Sequence, residues 1–281
     1  MAMMSSFRWY AMSTKIAIII PVYNRAKNLK LVLHALSLQT DPFFSVVVSD
    51  DGSTDDPAAV VTEYVEQMQI RFCTQEHRGY RVSRVRNNGV RACSRPQALS
   101  HYWFIDSDVM LNPHAVEDIR PFLAENPQLV VCGRYDWLPP MHITTEDLEL
   151  RWNKILRGEL PVLDGQDDKY TGGHEVVGHR RHLDIRQNAN WSNTVPSLCT
   201  GATLSGNLIV PCAAFHAVGG FDQKIEGQGQ DCDFGKMLGR EGIQMIFSEV
   251  VAGYHLYHYR DLEFCADSVK KTIAYMQEKF A

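Results

Sequence analysis

Residues 15–21, KIAIIIP, form an unbroken apolar, mostly β-branched run that ends in proline. That is the pattern of a strand covered on both faces in a parallel sheet, not of one that alternates toward solvent. After the loop VYNRA, residues 28–38 place Leu29, Val32, Leu33 and Leu36 at helical spacing, and residues 43–49, FFSVVVS, give a second buried strand. The chain therefore opens with a strand-helix-strand unit. The second strand runs into DDGSTDD, a turn-rich acidic segment; residues 57–67 then predict a helix, and Phe72 with Cys73 marks a weaker third strand. Residues 82–93 predict another helix, and 101–105, HYWFI, a buried strand leading directly into Asp106-Ser107-Asp108. Strands alternating with helices predict an α/β layer with right-handed crossovers, whose ligands collect at the carboxyl ends of the strands. The loops after Pro21, Ser49 and Ile105 all fall on that edge.

Beyond Asp108 the pattern changes. Residues 139–200 are polar, with a weakly periodic stretch at 146–156 and the Gly-rich DGQDDKYTGGHEVVGH, and predict an irregular lobe or lid. Apolar order returns over 202–210; 213–218 predict a short helix closed by Gly219-Gly220, and 234–240, 245–251 and 268–280 a helix, a strand and a terminal helix. A length of 281 residues suits one core with a smaller lobe. The formal charge of −5 argues against a nucleic-acid binder, although Arg78, Arg81, Arg84, Arg86 and Arg91 offer a local patch for the phosphates of a small ligand. No stretch is apolar enough to span a membrane, which leaves peripheral membrane association open. The opening MAMMSSFRWYAMSTK lacks the features of a secretory leader, and the seven cysteines include no CxxC pair. Both predict a cytoplasmic protein whose thiols are reduced and act as small buried hydrophobes.

Asp106 and Asp108, one residue apart at the end of a buried strand, can turn toward one divalent cation that neutralises a diphosphate leaving group; alone, such a pair is more often a turn or helix cap, and its context reverses that. Three further groups sharpen the picture. Asp50 and Asp51 end the preceding strand, where a carboxylate accepts from a base N–H or a ribose hydroxyl. Among the arginines, Arg81 and Arg86 are the best placed for bidentate pairing with phosphate. Far along the chain, Asp231 opens an apolar helical stretch in the glycine-rich GGFDQKIEGQGQDCDF, as either a helix cap or a general base toward an acceptor hydroxyl. His255 and His258 follow, their spacing of three predicting two imidazoles on one side of a single turn. Two histidines beside aspartates favour Mn²⁺, with Mg²⁺ the alternative. Trp137, Trp152 and Trp191 suit either stacking on acceptor sugars or packing.

In order, PVYNRAKNL, VVVSDDGSTDD, RVRNNGV and YWFIDSD resemble the motifs of inverting family 2 glycosyltransferases with the GT-A fold. SGNLIVPCAAFHAVGGFD with GQGQDCDF resembles the galactosyltransferase-like C-terminal segment of chondroitin-type polymerases, polypeptide N-acetylgalactosaminyltransferases and β-1,4-galactosyltransferases. The likeness covers 16–108 and 204–261. It implies a single Rossmann-like GT-A domain over 1–281, with a mostly parallel central sheet flanked by helices, a nucleotide-binding half at 14–110, and an acceptor and catalytic half at 111–281 whose variable lobe is 139–202. It implies that Pro21, Val22, Tyr23, Arg25 and Asp51 hold the uridine with help from Asp50, and that Asp106-Ser107-Asp108 is the Asp-x-Asp metal motif. It further implies that Asp231 is the base, that His258 and His255 complete the metal site, and that Gly206 and Asn207 lie near the donor sugar. Gln230 and Gln228 depart from the pattern, standing where Glu and an aromatic are usual. The implied reaction moves a sugar from UDP-sugar to a hydroxyl of a saccharide, lipid-linked, peptide or small-molecule acceptor. Two rival readings are a nucleotide-sugar binder that has lost catalysis and a sugar nucleotidyltransferase. The latter wants a Gly-rich, Lys/Arg-bearing loop after the first strand, where this chain has PVYNRA.

Overall fold

Alternate residues of the apolar runs enter two different cores, which explains why the runs show no polar alternation. In the computed structural model, which describes residues 14–138, 140–161, 205–258 and 262–281, Ile16, Ile18 and Ile20 pack on one face of the sheet and Ala17 and Ile19 on the other. The first half runs β1 (Ile16–Val22), α1 (Ala26–Ser37), β2 (Phe44–Asp50), α2 (Pro57–Thr62), β3 (Gln69–Thr74), α3 (Val82–Arg91), β4 (His101–Ile105), β5 (Val109–Leu111), α4 (Ala115–Glu125) and β6 (Val130–Trp137). It continues with α5 (Thr145–Leu150), α6 (Trp152–Arg157), β7 (Asn207–Pro211), α7 (Cys212–Ala217), α8 (Gln230–Arg240), β8 (Met245–His255) and α9 (Leu262–Lys279).

The strands lie in one sheet of order β3-β2-β1-β4-β7-β6-β8-β5. β3, β2, β1 and β4 are mutually parallel, whereas β7 joins β4 and β6 antiparallel, β6 pairs β8 in parallel and β5 closes antiparallel on β8. The sheet is thus a parallel half continued by a mixed half. α1 buries Leu29, Val32, Leu33 and Leu36 on one face of the sheet together with Ile119 and Leu123 of α4. The opposite face carries Val90 of α3, Phe215 of α7, and Phe234 and Leu238 of α8. α3 crosses β1 so closely that a Cβ on Gly89 would meet Ile19 Cγ2 at 2.5 Å, so glycine is needed there for packing.

Several boundaries differ from the sequence expectation. α2 stops at Thr62 instead of 67, because Glu63 and Tyr64 bond back three residues to Val60 and Val61 and tighten the last turn. The weak period at 146–156 is two short helices broken at Arg151. β5, α4 and β6 fill a stretch for which the sequence reading assigned no element. α4 is anchored by Arg120, whose buried guanidinium pairs with Asp41 and donates to the carbonyls of Thr14 and Phe43. Most of the 139–202 lobe, with Trp191, lies outside the described residues. Among the described residues no helix is long and apolar enough to cross a membrane.

Candidate active site

Parallel register sets Val22, Asp50 and Thr74 level, so Tyr23, Asp51 and Gln75 leave the sheet together at its carboxyl edge. The two aspartates at 50 and 51 then do different things. Asp50 accepts from Gly52 N at 3.1 Å, Ser53 N at 3.0 Å and Thr74 Oγ1 at 2.7 Å, and so builds the turn. Asp51 accepts from Gln75 Nε2 and lies 3.1 Å from His77 Nδ1 and 3.9 Å from Arg81 Nη2. The Tyr23 ring, 42% exposed, stacks on the His77 ring with centroids 4.0 Å apart and planes 6° from parallel. An aromatic wall beside a carboxylate is the chemistry that holds a flat heterocycle and its N–H.

On the other side of the edge, β4 ends in Asp106-Ser107-Asp108 and turns into β5. Val109 pairs with His255, and Trp137 pairs with His255 from the opposite side, so the last residue of β8 is delivered beside Asp108. Leu256 N donates to the Asp108 carbonyl at 2.7 Å and fixes the approach. His255 Nε2 lies 3.5 Å from Asp108 Oδ1 and His258 Nε2 2.9 Å from Oδ2. One atom from each of Asp108, His255 and His258 falls within 4.8 Å of the others. The indole of Trp137 packs over the His255 ring at 3.9 Å. One carboxylate and two imidazoles, inward-facing and convergent, fit a divalent cation of the borderline class. His255 ends a strand and does not sit on a helical turn with His258: pairing of β8 with β5 and β6 overrides the spacing, yet the rings still meet with centroids 5.0 Å apart.

Between these two regions lies Arg86. It is 2% exposed, passes over the Phe221 ring at 5.3 Å and donates to Asp106 Oδ1 at 2.7 Å. Asp231 stands in the first turn of α8, where Gly229 supplies the left-handed N-cap (φ 93°). Its Oδ1 accepts from Cys232 N at 2.9 Å. Burial pushes the Asp231 carboxyl above the ordinary range, opposed by the Arg86 charge and reinforced by Asp106. The loop before it is held by α9: Ser268 Oγ accepts from Gln228 N at 3.1 Å, and Thr272 Oγ1 donates to Gln228 O at 2.7 Å. α9 is itself fastened by Lys279, 2.8 Å from both Asp222 and buried Asp233.

A sequence profile described as Glycosyl transferase family 2 matches residues 17–184. The chain belongs to glycosyl transferase family 2. This family 2 member is 31% identical over 258 residues to validoxylamine A glucosyltransferase of Streptomyces hygroscopicus subsp. jinggangensis, covering 88% of this chain and 57% of the relative. It is 28% identical over 248 residues to chondroitin synthase of Escherichia coli, covering 85% of this chain and 34% of the relative. The chain therefore spans a third to just over half the length of these relatives. Among solved structures, S. aureus TarS 1-349 in complex with UDP-GlcNAc superposes with a TM-score of 0.60 at 17% identity, over 88% of this chain and 60% of that 1-349 chain. The fold is the GT-A arrangement.

In this family 2 chain the structure brings together Tyr23, Asp51 and Arg81 at one end and Asp108, His255 and His258 at the other. Pro21 and Val22 are buried strand residues that offer backbone only. Arg25, two residues after Tyr23, reaches the second end, its Nη2 3.2 Å from His258 Nδ1. Ser107 is buried in the turn, and the Gly206 carbonyl accepts from Asp106 N at 3.3 Å, touching the motif through backbone. Asp106 stands outside the Asp108–His255–His258 group; its Oδ1 faces Arg86, which is correspondingly held inside and not displayed to solvent. Asn207 is buried in the sheet: it accepts from Trp103 Nε1 at 2.9 Å and donates to the carbonyls of Arg134 and Val251. Trp152 meets Tyr254 edge-on as a packing anchor. Sequence reasoning passed over Gln75 and His77, and named Trp137 only as an acceptor platform or packing residue, whereas it packs over His255. Burial raises Cys93 to about 12 and Cys212 to about 11, which keeps both neutral small hydrophobes.

Proposed function

We propose that this chain is a metal-dependent, inverting GT-A glycosyltransferase domain that takes a UDP-sugar and passes its sugar to an acceptor hydroxyl. The observation that carries the reading is the convergence of Asp108, His255 and His258, from distant parts of the chain, at the same sheet edge as the Tyr23–Asp51 pocket. The likeness to TarS, whose structure holds UDP-GlcNAc, supports a UDP-sugar donor.

Tyr23 and His77 offer the stacking surface for uracil, and Asp51 the acceptor for its N–H or for ribose. Asp108, His255 and His258 are the residues that hold the cation, Mn²⁺ by donor type with Mg²⁺ the alternative; bound there, a cation neutralises a diphosphate and aids its departure. Arg86 anchors Asp106 and places positive charge beside Asp231. Asp231 takes the proton of the acceptor hydroxyl: burial raises its basicity, and its place in the first turn of α8 keeps the carboxylate fixed. The hydroxyl oxygen attacks the anomeric carbon from the face opposite the diphosphate as the bond to the diphosphate oxygen breaks, inverting the configuration. The relatives' names run from a validoxylamine A glucosyltransferase to chondroitin and hyaluronan synthases, so the acceptor class spans small molecules and polysaccharides. The unbridged buried thiols fit a cytoplasmic setting.

A panel of UDP-sugars with Mn²⁺, scored by UDP release, tests the reading. Metal-dependent release from one donor, abolished by EDTA, is the expected result. UDP binding without release from any donor favours the binder that has lost catalysis, and neither binding nor release overturns the reading.

A further inference from the structure

Arg25 and His258 meet in a contact whose polarity is set by chemistry. A guanidinium carries only donors, so with Arg25 Nη2 at 3.2 Å the accepting nitrogen of His258 is Nδ1. A neutral ring then carries its proton on Nε2, which is the nitrogen 2.9 Å from Asp108 Oδ2 and donates to it. His258 is thus clamped between a donor and an acceptor, in the tautomer that satisfies Asp108 without a cation. Ligation through Nε2 requires that nitrogen to be bare, which moves the proton to Nδ1 and sets N–H against N–H at Arg25. Arg25 on Nδ1 and a cation on Nε2 exclude each other.

We propose that Arg25 is a latch on the cation triad: it holds His258 in the metal-free tautomer and lets go when the cation enters, its guanidinium turning to the diphosphate of the donor. The proposal rests on the donor and cation reading above and adds to it a positioning role. Arg25 sits at the N-cap of α1, two residues along the loop from Tyr23, with Nη1 3.2 Å from the Asn24 carbonyl, so a side chain rooted beside the nucleotide pocket reaches the triad. A bidentate donor freed beside a diphosphate has an immediate acceptor. Release of the latch is therefore easier when nucleotide is present, and by linkage cation and nucleotide each tighten the other.

Arg25→Met keeps the stem and removes the donors. Mn²⁺ affinity is measured by electron paramagnetic resonance of the free ion, with and without UDP, on wild type, Arg25→Met and Asp108→Asn. A melting curve establishes that each is folded. Without UDP, Arg25→Met is expected to bind Mn²⁺ about three- to tenfold more tightly than wild type, the scale of one hydrogen bond, and UDP is expected to tighten Mn²⁺ by a smaller factor than in wild type. Equal or weaker Mn²⁺ binding by Arg25→Met, with Asp108→Asn still losing the ion, overturns the latch and leaves the triad standing. Mn²⁺ binding unaffected by Asp108→Asn overturns the cation site and the latch with it. Independently, ¹⁵N imidazole spectra of the metal-free protein, assigned against His258→Gln, are expected to show His258 protonated on Nε2; protonation on Nδ1 overturns the proposal.

Discussion

Asn207 separates a structural clamp from a donor contact. Its side chain makes three bonds inside the sheet, to Trp103 Nε1, Arg134 O and Val251 O, tying β4, β6 and β8 to β7. Asn207→Leu keeps the approximate volume but strips all three. A buried donor or acceptor left without its partner costs about 1–3 kcal/mol. Three such groups, partly relieved by relaxation, give about 3–6 kcal/mol, a large share of the roughly 5–15 kcal/mol that holds a folded chain together. For a chain of this size that is a fall in Tm of about 6–12 °C. Gly133→Ala attacks the same clamp from the other side, since its Cβ would stand 2.3 Å from Asn207 Nδ2. The assay is thermal unfolding of both variants alongside UDP titration below the transition. Both are expected to melt early and, while folded, to bind UDP as wild type does. A normal Tm with lost UDP binding in Asn207→Leu refutes the clamp and returns Asn207 to the donor pocket.

Asp231→Asn should lower transfer by about a hundred- to ten-thousandfold while leaving UDP affinity within about twofold; retained transfer removes Asp231 from the base role. Burial raises the Asp231 carboxyl, so the acidic limb of kcat/KM should lie above the ordinary carboxylate range, as a pH profile of the wild type will show. His101 is buried with its pKa lowered from 6.5 to about 4, so the unfolded chain binds more protons between those values. Stability should be full above pH 6.5 and fall by up to about 3 kcal/mol as the pH drops toward 4, with the slope reduced in His101→Phe when denaturant midpoints are compared across pH. Lys279→Met leaves buried Asp233 without its cation and should cost about 3 kcal/mol in urea unfolding; a variant as stable as wild type would show that the clasp on α9 contributes nothing.

Most of the parallel half of the fold was legible because β1, β2 and β4 are covered on both faces, so runs such as KIAIIIP and HYWFI carry no polar interruptions, whereas the exposed edge strand β3 left only a weak signal. β5, α4 and β6 were not. β5 is three residues long, α4 carries Pro121 inside it, and β6 is interrupted by Gly133, which exists to clear Asn207. The buried Asp41–Arg120 pair joins residues 79 apart and leaves no local trace. At the site, Asp108 with His255 and His258 was read chiefly from a family resemblance; the two imidazoles do meet, as their spacing of three suggested, but it is the pairing of β8 that delivers His255. Asp50, Arg86 and Asn207 show the limit of motif reading. Each sits in or beside a recognisable motif, yet each directs its polar atoms inward: Asp50 to its own turn, Arg86 to Asp106, Asn207 to three strands. Only their hydrogen-bond partners reveal this.

The central claim is that one cation sits where Asp108, His255 and His258 converge, facing the diphosphate of a bound nucleotide. The most direct measurement is an anomalous difference map from crystals grown with UDP and Mn²⁺. One peak bound by the Asp108 carboxylate and the Nε2 atoms of His255 and His258, touching the diphosphate, is the predicted result. UDP bound with the manganese elsewhere, or with those three side chains still bonded to one another, contradicts the account.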